Sequence, residues 1–183
     1  HRDLHSFPTR RSSDLTIRAL SNGLSIAGSP SIGSTARLAA DAALSGARGN
    51  SGAILAQFFQ GLAEDLAQEA RVGTRRFAQA VKRAAFSARA ALSAPREGTI
   101  ITVLHDWAEA VHRVAQRSDD FLETLREALD AARISLSRTP ELLPELRKAG
   151  VVEAGALGFV RLIEGVSDRK STRLNSSPGK LTR

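Results

Sequence analysis

Three short stretches carry the residue types that can hold an anion. Residues 46–52 (GARGNSG), 94–99 (APREGT) and 152–158 (VEAGALG) each set glycine beside a small or hydroxyl residue just ahead of a helical pattern. Glycine lets backbone approach a ligand closely, and the first N–H groups of a helix have no internal acceptor, so such a junction can cradle a phosphate. The same composition also makes an ordinary helix-to-helix turn, and spacing alone leaves both readings open. The first stretch is not a Walker A loop, which needs a Gly-Lys-Ser/Thr ending after a strand. One such junction is commonplace; three would converge only if the fold brought them to one rim.

Other chemistry is sparse. His105 and Glu109 stand one helical turn apart but lack further ligands at metal-binding spacing, so a solvent-facing pair is expected, with His112 exposed as well. Asp41, Asp65, Asp106, Asp119, Asp120 and Asp130 are scattered and form no cluster of hard oxygen ligands. No nucleophile–base–acid arrangement is legible, so no catalytic residue and no metal ligand is assigned. Trp107 is expected in the core rather than as a stacking platform.

The elements that must position these stretches read as helices. Ser34–Leu44 is short and alanine-rich; Ser51–Ala70 sets Ile54, Phe58, Leu62 and Leu66 at steps of four. Thr74 is expected to cap a helix to about Ser93. Thr99 opens another with Val103, Leu104, Trp107, Val111 and Val114 as its buried stripe. Asp120 with Glu123 resembles a capping box for a helix to about Ser137. Thr139-Pro140 reads as an N-cap followed by proline at the first helical position, with Gly150 as the stop, and a last segment starts at about Ala154. Val151-Val152 is the one strand-like pair, too short for a sheet. The fold class is therefore all-α, an antiparallel barrel or bundle of helices.

The ends differ in kind from the interior. All 30 alanines of the 183 residues lie between residues 16 and 167, whereas 1–15 and 168–183 are rich in Arg, Ser and Thr and show no helical periodicity. Both ends resemble translated sequencing-adapter DNA, and the sequence contains no Met. They are expected to be non-native tails flanking one domain at 16–167. The tails hold 8 of the 26 basic and 3 of the 19 acidic residues, leaving a net charge of +2 for the interior against +7 for the whole. That balance, with 4% aromatic residues, argues against nucleic acid as a partner. No run of 18 apolar residues and no signal-peptide pattern is present, which predicts a cytoplasmic protein without membrane insertion.

At the three junctions the sequence resembles a known family. GARGNSGAILAQFFQGLAE, PREGTIITVL and TPELLPELRKAGVVEAGALGFVRLIEGV are similar to the nucleotide-binding (DhaL-type) domain of the dihydroxyacetone kinase L-subunit superfamily, in the branch found at the N-terminus of bacterial fatty acid kinase. The resemblance runs from about Thr16 to Val166. It implies a barrel of eight antiparallel helices with ATP or ADP at one end. Asn50, Ser51 and Gly52 match the segment that grips the phosphates, Thr99 and Ile100 a helix start beside the nucleotide, and Glu153, Ala154 and Gly155 a third lining segment. The family's usual acid at position 153 is Asp, so Glu153 departs from the pattern by one methylene.

The family holds Mg2+ with aspartates of a Gly-Asp-Gly-Asp-Thr-Gly type motif, and no such motif occurs in this chain. The resemblance thus implies a parent that is an ATP-dependent kinase, resembling fatty acid kinase or glycerone (dihydroxyacetone) kinase, of which this chain is an inactive part. The phosphoryl acceptor would come from an acyl-carrier-type or substrate-binding partner protein or domain. The alternative is a non-catalytic helical interaction or regulatory domain of the same fold.

Overall fold

The computed structural model describes residues 31–175, with side chains through Ser167. Among the described residues there are seven helices and no strand: α1 (Ile32–Gly46), α2 (Gly49–Asp65), α3 (Thr74–Ala90), α4 (Ile100–Ala115), α5 (Phe121–Leu142), α6 (Pro144–Ala149) and α7 (Ala154–Asn175). Residues 1–15, expected to be a non-native tail, lie outside the described residues. The final helix continues past Ser167 into the segment assigned to the second tail.

The chain runs up and down, each long helix packing on its predecessor from α1 through α5, and α7 then lies against α5, α4 and, more lightly, α2. The close α1–α2 pairing follows from sequence: α1 buries Ala36, Ala39, Ala40 and Ala43, small side chains that let the two backbones approach. Its N-terminus docks on the turn that ends α2, where the N–H groups of Ile32 and Gly33 donate to the carbonyls of Ala70 and Glu69. The core proper is built on the expected stripes. Phe58, Leu55, Leu104, Val111 and Phe159 are almost fully buried, and Trp107 sits edge-on between Phe58 and Phe159, at ring separations of 6.2 and 5.4 Å.

Several boundaries depart from expectation for physical reasons. Thr74 is the first helical residue of α3 rather than its cap, and its hydroxyl donates to Ser118 O across the bundle. Asp120 does cap α5, its Oδ1 accepting from the N–H groups of Leu122 and Glu123 at 2.7 and 3.3 Å. The reciprocal half of the capping box is missing, because Glu123 accepts the Ser118 hydroxyl instead.

Thr139-Pro140 does not begin a helix: α5 runs through it to Leu142, and Pro144 takes the first position of α6. Proline at 140 removes the N–H that would reach the Leu136 carbonyl. The buried Thr139 hydroxyl donates to that same carbonyl at 2.8 Å, so the helix survives the proline. Gly150 ends α6 as expected, in the left-handed conformation at φ +63°. Trp107 is in the core; His112 is half-buried, not exposed.

Candidate functional site

Because neighbouring helices alternate in direction, the N-termini of α2, α4 and α7 share one end of the bundle with the C-termini of α1, α3 and α5. All three glycine-containing junctions therefore lie there, and a chain of close contacts links them. Gly155 in the first turn of α7 packs directly on Ser51 in the first turn of α2: a Cβ at 155 would sit 2.2 Å from the Ser51 Oγ and 2.7 Å from its Cβ. The Glu153 N–H donates to Thr139 Oγ1 at 3.1 Å, tying the start of α7 to the last turns of α5. Gly98, at φ +80°, packs on Leu142 and Leu143, where a Cβ would come within 2.7 and 2.9 Å. The end of α5 thus forms a bracket between the 94–99 and 152–158 stretches.

The three helix starts differ in what they offer. In α2, Gly49 is the first helical residue and adopts φ +62°; Arg48 is the N-cap and provides no side-chain cap. Ser51 is accordingly the third residue of the helix, not its cap. Asn50 is exposed, Ser51 half-buried, and Gly52 buried. The Arg48 guanidinium folds back onto the carbonyls of Ser45 and Ala47 at the end of α1.

In α4, Thr99 is the N-cap by backbone, yet its hydroxyl donates to Arg96 O at 2.7 Å and leaves the helix start uncapped. Ile100 and Ile101 are each about 1% exposed as whole residues, so the backbone of this start is covered along with its side chains. In α7, Glu153 caps its own helix: its carboxylate accepts from the N–H groups of Gly155 at 2.9 Å and Ala156 at 2.6 Å. The extra methylene at 153 is compatible with this cap, which places a negative group where an external anion would otherwise sit.

Sequence reasoning missed Thr139 and the group Arg89, Glu97 and Thr102, which lies beside the α4 start and lines a cavity of about 340 Å³ with His105 and Asp106. The Thr102 hydroxyl and Arg89 guanidinium hold the Glu97 carboxyl below its ordinary value, outweighing the opposing effect of burial. The PREGT spacing did show Glu97 near a helix start, but nothing local revealed that its partners lie on two helices. His105 and Glu109 lie side by side on the outer face of α4, 4.0 Å apart. Among the described residues, no three His, Cys, Asp or Glu side chains gather as a metal would require. No described helix is long and apolar enough to cross a membrane.

Comparison with known proteins matches this arrangement to a family. The DAK2 domain family pattern covers residues 11–168, extending slightly outside the 16–167 domain expected from composition. An uncharacterized protein of Staphylococcus saprophyticus is 38% identical over 137 residues, covering 75% of this chain and 25% of that protein. Another, of Staphylococcus epidermidis, is 33% identical over 154 residues, covering 84% and 28%. Protein YloV of Bacillus subtilis is 38% identical over 122 residues, covering 67% and 22%. The chain therefore spans about a quarter of the length of these relatives. With an all-helical fold, three motifs gathered at one end and a family match over most of its length, the chain belongs to the DAK2 (DhaL-type) domain family.

Proposed function

We propose that this end of the bundle binds the phosphates of ATP or ADP, and that the chain is the nucleotide-binding part of a kinase resembling fatty acid kinase or glycerone kinase. The observation that carries the reading is the uncapped, exposed start of α2 beside the Ser51–Gly155 contact. Of the helices that start at the opposite end, α1 and α5 are capped by Ser31 and Asp120, while α3 has no side-chain cap either. The exposed N–H groups of Gly49 and Asn50 and the Ser51 hydroxyl suit phosphate oxygens. Bound nucleotide would supply the phosphoryl group for transfer. The described carboxylates do not fit a magnesium site, so no transfer step is assigned to this chain.

In the whole protein, an acyl-carrier-type or substrate-binding partner or domain presents the acceptor. The setting is cytoplasmic, with neither nucleic acid nor membrane insertion involved. One observation favours the second reading, a non-catalytic interaction domain: Glu153 occupies the anion position of α7 with its own carboxylate.

Calorimetric titration of the chain with ADP and ATP decides between them. Ser51→Ala removes one charge-assisted hydrogen bond, worth about 1.5–3 kcal/mol, so affinity should fall roughly tenfold or more while helicity is kept. A wild-type chain that binds neither nucleotide sinks the first reading.

A further inference from the structure

The outer face of α5, near its end, carries four exposed side chains that the bundle leaves unused. Ile134, Arg138, Glu141 and Leu142 follow one another at steps that keep them on one side of the helix. Ile134 is 54% and Leu142 51% exposed, and they bound the set. Between them, Arg138 and Glu141 stand three residues apart, and among the described residues neither side chain has an ion-pair or hydrogen-bond partner. The nearby Arg147 guanidinium takes the main-chain oxygen of Glu141, not its carboxylate. The other charges along this face are engaged within the bundle: Arg133 holds Glu164 and Asp130, and Arg117 holds Glu127.

The order apolar, positive, negative, apolar is complementary to itself when reversed. If a second α5 is laid antiparallel on the first about a two-fold axis beside Arg138, Ile134 falls opposite Leu142 of the other copy. Arg138 then lies within one turn of the other copy's Glu141, and each contact occurs twice, as an isologous interface requires. A parallel arrangement would set Arg138 on Arg138 and Glu141 on Glu141, so charge selects the antiparallel one. We infer that this face of α5 is a contact between two copies of the chain, joined antiparallel about that axis. The inference is independent of the nucleotide reading. From Ile134 to Leu142 the face covers only about 13 Å of helix, below the size of a permanent interface, so a reversible dimer with a Kd of about 10–100 µM is expected. Because α5 ends at the rim that gathers the three junctions, each copy stands beside the other's rim.

Sedimentation equilibrium of the full chain from about 5 to 500 µM measures the dimer. Arg138→Glu sets carboxylates against each other across the axis, and Glu141→Arg sets guanidinium groups against each other; each should weaken the dimer at least about tenfold. The double reversal Arg138→Glu with Glu141→Arg restores opposite signs and should return the Kd to within about threefold of wild type, which a mere change in fold stability would not do. Ile134→Ser should also weaken the dimer, with Tm within about 2 °C of wild type because the side chain is more than half exposed. Leu44→Ser, at a 67% exposed position on α1, should leave it unchanged. A chain that stays monomeric throughout overturns the inference and leaves this face to an unlike partner. Association that survives both single reversals, that the double reversal fails to restore, or that Leu44→Ser disrupts as much as Ile134→Ser overturns it as well.

Discussion

Replacing Gly155 by alanine tests the contact on which the shared end of α2 and α7 depends. An ideal Cβ there would lie 2.2 Å from Ser51 Oγ, 2.7 Å from Ser51 Cβ and 3.1 Å from Glu153 Oε2. The hydroxyl can rotate away, but the Ser51 Cβ moves only if the backbone of α2 moves. Overpacking of this kind costs about 1–3 kcal/mol, against a gain of up to about 1 kcal/mol from replacing glycine in a helix. A net loss of about 1–2 kcal/mol follows, or roughly 2–8 °C in Tm for a domain of this size.

Gly165→Ala supplies the control within the same helix: nothing lies within 4 Å of its Cβ position, so it should gain about 0.5–1 kcal/mol. Adding Ser51→Gly to Gly155→Ala removes both clashing atoms and should recover part of the loss. Urea unfolding followed by circular dichroism measures all four proteins. If Gly155→Ala is as stable as wild type, or rises alongside Gly165→Ala, the two helix starts are not apposed and the proposed phosphate site loses its geometry.

Two further outcomes concern the opposite end. Burial raises the Asp65 carboxyl, but hydrogen bonds and charge from Arg76 and Arg83 outweigh it and hold the group below its ordinary value. Its contribution is therefore complete above the usual carboxylate range and is lost as pH falls through the lowered folded value; Asp65→Asn should lower stability near neutral pH and flatten the acid limb of a Tm–pH profile, and an unchanged limb would remove Asp65 from the account. Asp120→Ala leaves the N–H groups of Leu122 and Glu123 without their cap and should cost about 1 kcal/mol in chemical denaturation, whereas an unaltered midpoint would show that water replaces the cap without loss.

What the sequence made legible was set by periodicity and residue type. Ile54, Phe58 and Leu62 on α2, and Val103, Leu104, Trp107 and Val111 on α4, recur at helical spacing and are all buried. The end of α5 was not legible, since proline reads as a helix start unless the neighbouring Thr139 hydroxyl is known to replace its missing N–H at the Leu136 carbonyl. At the candidate site, the glycine and hydroxyl residues marked helix starts, and helix starts are what the fold contains. Which polar groups remain free was hidden. Thr99 is drawn back to Arg96 in a turn pinned at Gly98 by leucines 44 and 45 residues further along the sequence, and Glu153 satisfies the start of α7 itself. Both outcomes depend on contacts between helices, which one-dimensional spacing does not encode.

An antiparallel bundle ordinarily gives its ends little net polarity, because positive helix starts alternate with negative helix ends around each rim. At the end that holds the three junctions, arginines meet the negative partners. The Arg48 guanidinium lies on the Ser45 and Ala47 carbonyls that finish α1, and the Arg147 guanidinium on the Pro140 and Glu141 carbonyls that finish α5. Arg89 stands in the last turn of α3. With its negative ends offset by cations and two of its positive starts left uncapped, this rim favours an anion through groups a few ångströms away rather than through the field of the bundle. In the proposed phosphate site local donors, above all the first N–H groups of α2, would then decide what binds. The arginines are accordingly part of the site's electrostatics even though their hydrogen bonds point back into the protein.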